Sequence, residues 1–95
     1  MSRLPSLQID LANIQDAPQL HALLRDALGF PHWYGCNWDA FWDAISALVE
    51  MPEQLVFEHW PGFAERLPRE ARMIQECLER LKQLYPEQAC QTHYR

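Results

Sequence analysis

Residues 33–45 read WYGCNWDAFWDAI, and the organisation of the whole chain can be worked out from this stretch. Asn37 is a strong helix N-cap, because its side-chain oxygen can accept from a free backbone N–H of the first turn. Gly35 in the preceding loop offers the positive φ that a tight turn uses. A helix is therefore predicted from about Trp38 to Val49, ended by Met51-Pro52, since proline disfavours a helical residue before it. Trp38, Phe41, Ile45, Leu48 and Val49 fall on or beside one stripe, expected to pack on a sheet. Asp39, Asp43, Ser46 and Glu50 form the opposite face, with Trp42 near the boundary.

Upstream, SLQIDLANI alternates, with Leu7, Ile9 and Leu11 on one side, which is a strand pattern. Asp16 is a predicted N-cap with Pro18 in the first turn. Leu20, Leu23, Leu24 and Ala27 continue at helical spacing until Gly29 and Pro31 stop the helix. Downstream, QLVFEH is a short apolar run that fits a buried strand. Pro61-Gly62 is expected to turn the chain, a short helix to cover Phe63 to Leu67, and a longer one to run from Pro68 through Leu84. Met73, Ile74, Cys77, Leu78 and Leu81 form the stripe of that longer helix, and Pro86 follows its end. The tail ACQTHYR reads as a last edge strand. Strands separated by helical crossovers imply an α/β fold with a small three-stranded parallel sheet and about four helices, in the order β-α-α-β-α-α-β.

The chain has 95 residues, which is expected to make one domain spanning 1–95. Its net charge of −5 argues against a direct nucleic-acid partner, which would call for a basic stripe, and against anionic membrane surfaces. The N-terminus MSRLPSLQIDL has no long apolar run, so neither a signal peptide nor a transmembrane helix is expected and a cytoplasmic location is the default. Cys36, Cys77 and Cys90 are odd in number and lack metal-ligand spacing. His21, His32, His59 and His93 form no HExxH or HxH, so no metal site is expected and free thiols are. No Gly-rich phosphate loop and no GxSxG occurs, and no cofactor is expected.

The acidic face of the second helix is where the chemistry lies. An ordinary amphipathic helix with solvated acids would account for it, and such faces are common. Yet Asp43 repels Asp39 one turn away, by a few tenths of a kcal/mol at most, and Asp is a poorer helix former than Glu. No Lys or Arg occurs between Arg25 and Arg66, whereas Asp26, Asp39, Asp43, Glu50, Glu53, Glu58 and Glu65 do. Such a field speeds encounter with a basic partner and weakens with salt. Trp33 and Tyr34 before the helix and Trp42 beside its acids resemble an interface hot spot, although Trp38 reads rather as core, and Trp33 equally as a ring folded on the first helix. Adjacent helical turns bring two carboxylates close enough to act as a catalytic pair, and Cys36 lies just before a helix, where a thiol can be activated. A convex helix face, however, lacks the cleft and water exclusion that catalysis needs, so an enzyme is not expected.

YGCNWDAFWDAI resembles the signature of the barstar family, the intracellular inhibitors of barnase-type ribonucleases, in which Tyr-Gly-x-Asn is followed by a hydrophobic residue, Asp-Ala, a further hydrophobic residue and Trp-Asp. The similarity extends over most of the chain through its order of elements and the acidic strand end LVFEHW. The resemblance implies a non-enzymatic inhibitor, of housekeeping antidote or toxin-immunity type, that blocks a basic active site with the second helix and the loop before it. Asp43 would be the central anion among the nuclease's arginines and histidine, and Asp39 a second acidic contact. Trp33 stands where the family has a tyrosine that packs on the nuclease's catalytic histidine. Tyr34, Gly35, Asn37, Trp38 and Trp42 fall at other interface or interface-supporting positions, Ser46 continues the same face, and Glu79 on the last helix aligns with a further acidic contact. The chain departs from the pattern at Cys36, which stands for an acid, at Leu48, which stands for an aromatic contact, at Glu76, which stands for an apolar contact, and in its longer N-terminus.

Two readings follow. In the first, the partner is a basic ribonuclease or nuclease toxin held 1:1, the two carboxylates standing in for RNA phosphates. In the alternative, the chain is an acidic protein–protein interaction module on the same fold with a different partner.

Overall fold

The computed structural model describes residues 3–95. β1 (Ser6–Asp10) leads into α1 (Ala17–Leu28), then α2 (Trp38–Asp43), which continues without a break as a π-helical turn over Ala44–Leu48. β2 (Gln54–Glu58), α3 (Trp60–Arg66), α4 (Pro68–Leu84) and β3 (Gln91–Tyr94) complete the order. The sheet is parallel throughout, in the order β1-β2-β3. Ile9 lies opposite Phe57 across the first pair, and Phe57 opposite Tyr94 across the second. The predicted α/β class, with three parallel strands and four helices, is the one observed.

Side-chain chemistry at the element ends explains their limits. Asp16 caps α1 by accepting from the Gln19 N–H at 2.9 Å, and Gly29, at φ 74°, closes it in the left-handed region. Asn37 caps α2 by accepting from the Ala40 N–H at 2.7 Å. β2 is the central strand, and Leu55, Val56 and Phe57 are all buried there, which is why it reads as a continuous apolar run rather than an alternating one. The core joins Ile9 and Leu11, Leu20 and Leu24 of α1, Phe41 of α2, Ile45 of the π turn, Phe63 of α3, and Ile74 and Leu81 of α4.

Three local expectations are corrected. Gly35 does not carry the positive φ of the loop; Cys36 does, at φ 54°. A Cβ at Gly35 would stand 3.2 Å from Asn37 Nδ2 and 3.4 Å from the Ala40 Cβ, so a larger residue would crowd the capping side chain of Asn37 and press it to shift by a few tenths of an ångström. Pro61-Gly62 is not a turn but the first turn of α3; the corner is made one step earlier by His59, at φ 60°. Its ring is held 2.8 Å from Asp10 Oδ1, which also accepts the Ala12 N–H. Finally, Leu48 does not join the buried stripe and is 46% exposed. A π turn bonds i to i+5, as Val49 N–H does to the Ala44 carbonyl at 3.1 Å, and this wider turn rotates the residues after it away from the α-helical stripe.

Two long-range clamps hold the ends of the site-bearing segment. The Arg3 guanidinium donates to the carbonyls of Met51, Pro52, Glu87 and Ala89 at 2.6–2.9 Å, and to that of Gln88 at 3.4 Å. Gln88 in turn donates through Nε2 to the carbonyls of Ile45 at 3.2 Å and Val49 at 2.7 Å, satisfying acceptors that the end of the π turn leaves open.

Candidate functional site: an acidic helix with an aromatic rim

Asp39 and Asp43 both project to solvent from α2. Successive turns place their Cβ atoms about 5–6 Å apart. Among the described residues, the ion pairs join Arg25 to Asp26, His59 to Asp10 and Arg72 to Glu76, and none reaches either of these carboxylates. Their backbone is fixed by the Asn37 cap and by Phe41, which is fully buried one turn from the cap. Two charges on a rigid frame, unpaired within the fold, are ready to meet cations supplied from outside.

The aromatics divide into contact and support groups. Trp33 is 63% exposed and free to cover a partner surface, so the alternative of a ring folded on α1 does not hold. Tyr34 is buried, with its hydroxyl 2.7 Å from His21 Nδ1 and its ring 4.9 Å from that of Phe30. Burial raises its pKa well above the ordinary phenol value, so it stays neutral and anchors the loop from below. His21 is itself buried, and desolvation lowers its pKa, partly countered by the Glu70 carboxylate. Trp38 is half-buried. Its ring lies 4.6 Å from that of His21 and edge-on to Phe41 at 5.3 Å, and its indole N–H donates to Glu70 Oε1 at 3.4 Å. Gly35 and Asn37 are exposed in the loop, the latter also donating to the Gly35 carbonyl. The Ser46 hydroxyl donates to the Trp42 carbonyl at 2.6 Å, so it is engaged with its own helix.

Trp42 sits where α2 meets α4. It stacks on Tyr85 with centroids 6.4 Å apart, and the Arg80 guanidinium lies 4.2 Å above its ring. Sequence reading missed this cation, because nothing local links position 80 to position 42. Glu79, the acid expected at this side, lies about 100° round α4 from Arg80 at 3.6 residues per turn. It accepts weakly from Gln83 and borders the groove between α4 and β3, apart from the acids of α2. Leu48, Leu84 and Tyr85 line a groove of about 850 Å³ that continues the face beyond Ser46. The expected site residues thus gather into one surface, from Trp33 through Asp39, Asp43 and Trp42 to Ser46, with Tyr34 and Trp38 beneath it and Glu79 outside it.

Among the described residues no group of three or more His, Cys, Asp or Glu side chains has the spacing to hold a metal ion. No helix there is long and apolar enough to cross a membrane.

The profile of a family described as "Barstar (barnase inhibitor)" matches residues 4–94. The chain belongs to the barstar family. A relative from Bacillus subtilis (strain 168), named "Putative ribonuclease inhibitor YrdF", is 36% identical over 78 residues, covering 78% of this chain and 86% of the relative. The barstar match takes in all three strands and four helices, so the acidic helix and its aromatic loop lie within the matched region. The family's description as an inhibitor agrees with a carboxylate pair exposed on a helix face.

Proposed function

We propose that the protein inhibits a ribonuclease by laying α2 and the loop before it across the enzyme's basic active site, with no catalytic step of its own. The observation that carries this reading is the pair Asp39 and Asp43: two exposed carboxylates one helical turn apart, on a frame fixed by a cap and a buried Phe, without an internal cation. A ribonuclease holds RNA phosphates with Arg, Lys and His, and helix-borne carboxylates offer the same charge at low entropic cost. Trp33, with Leu48 and Tyr85 in the mixed groove beyond Ser46, would supply the flanking contact that excludes water around those charges. The partner is a basic ribonuclease or nuclease toxin bound 1:1 inside the cell that makes the inhibitor. The role is that of an antidote, either to a housekeeping enzyme or as immunity to a toxin.

Capture with this chain as bait tests the reading. The expected outcome is recovery of a basic ribonuclease whose RNA cleavage is lost in the complex. Asp43→Ala should weaken that complex by at least about 2 kcal/mol, roughly thirtyfold, with thermal stability equal or higher. Unchanged binding together with a large loss of stability would make Asp43 a structural residue and sink the proposal.

A further inference from the structure

Arg69 borders the same groove as Asp39 at the start of α2, and Arg80 is brought onto Trp42 further along it, where its state is unusual. It is exposed, its guanidinium lies 4.2 Å over the Trp42 ring, and among the described residues it makes no hydrogen bond and no ion pair. Trp42 is three residues after Asp39, on the adjoining turn of the same helix, so carboxylate acceptors are close by. An arginine present only to neutralise them would fold onto one. Instead the guanidinium rests on the aromatic face while the residue stays exposed, so its N–H donors are available for bidentate recognition of a carboxylate.

We infer that Arg80 is a specificity-determining contact that pairs with an Asp or Glu carboxylate at the lip of the partner ribonuclease's basic cleft. This rests on the inhibitor reading above and narrows it. A cleft lined only by cations would repel Arg80 where Asp39 and Asp43 attract, whereas a cleft with one acid at the matching edge would bind all three charges in register. The face therefore combines the two anions of α2 with a cation held on Trp42 of the same helix, which selects among basic enzymes that net charge alone would not separate.

The sign of the mutational effect decides the matter. Arg80→Gln makes the chain more negative, so with a purely cationic partner its association would speed up and its complex would tighten. Pairing with a carboxylate predicts the reverse for the complex. Measured by stopped-flow and surface plasmon resonance against the ribonuclease captured by the wild-type chain, Arg80→Gln should dissociate about tenfold faster or more, with an on-rate unchanged or slightly raised. Arg80→Lys, which keeps charge but loses the planar fork, should recover only part of the loss. Arg80→Glu should be rescued by one Asp→Lys or Glu→Lys change in the ribonuclease, which locates the paired acid. Equal or tighter binding by Arg80→Gln overturns the inference and leaves the inhibitor reading standing. Failure of the wild-type chain to capture any ribonuclease overturns both. Thermal melting of each variant, expected to match the wild type, separates a lost contact from a lost fold.

Discussion

At the scale of single residues, the burial of His21 has a consequence for acid stability. Its folded-state pKa lies below the ordinary imidazole value because desolvation disfavours the imidazolium, with Glu70 offsetting part of the effect. The unfolded chain therefore takes up a proton that the folded one refuses. The sign is fixed by linkage: the stability that neutral His21 contributes is complete above about pH 6.5 and declines as the pH falls below it toward the folded pKa. Urea midpoints of the wild type should fall between pH 7 and pH 5 more steeply than those of His21→Gln, which cannot titrate. Equal slopes would show that His21 is not the group responsible. Individual caps were legible in the sequence: Asp16, Gly29 and Asn37 act through neighbours two to four positions away, so a local reading finds them. Gly35 was not legible in the same way. A glycine before a helix suggests a positive φ, but here the tight approach is 3.2 Å to Nδ2 of Asn37, the residue that caps the helix, and the positive φ falls on Cys36 instead.

At the scale of elements, the site-bearing helix differs from the regular α-helix its sequence suggests. Trp38 to Asp43 is α-helical, and Ala44 to Leu48 is a π turn. Helical periodicity reports which residues prefer one face, but the change from i+4 to i+5 bonding is stabilised by Gln88, more than forty residues away along the chain from Ile45. Removing that side chain by Gln88→Ala should cost about 1–3 kcal/mol, the loss of two hydrogen bonds to partly buried carbonyls. Equilibrium urea denaturation should show this as a lower midpoint with an unchanged slope. Amide exchange at Val49, whose N–H bonds the Ala44 carbonyl, should accelerate in the same variant. If it does not, the π turn is set by its own packing rather than by Gln88. α3 was misplaced for a related reason. Pro61 and Gly62 look like a turn in isolation, yet Pro61 suits the first turn of a helix once His59 has taken the corner.

For the molecule as a whole, sheet class, parallel pairing and element order followed from the sequence because they depend on apolar runs and breakers. The strand order β1-β2-β3 needed the structure, which sets β2 in the middle. The candidate surface was half legible. Asp39, Asp43 and Trp33 lie in one continuous stretch, whereas Arg80, Tyr85 and the groove beside Leu48 come from a distant helix and loop. The charge distribution belongs to this scale as well. With a net charge of −5 and no Lys or Arg between positions 25 and 66, the field around the chain is expected to draw in a basic partner from a distance. Association with the captured ribonuclease should slow steeply as salt is raised, whereas dissociation should change much less. An on-rate independent of ionic strength would rule out long-range steering.

α2 is strung between β1 and the central strand β2, and Phe41, Ala44 and Ile45 on its underside are fully buried. A protease reaching for the acidic helix thus finds no independently melting segment to cut. Exposing that backbone means withdrawing Phe41 and Ile45 from the interior, an opening of nearly the same free energy as global unfolding. Digestion of the free protein at α2 should accordingly follow the global unfolding equilibrium and be slow under native conditions. An inhibitor built this way would persist while unbound, and its working reserve would be set by the stability of the whole fold rather than by the mobility of its acidic face.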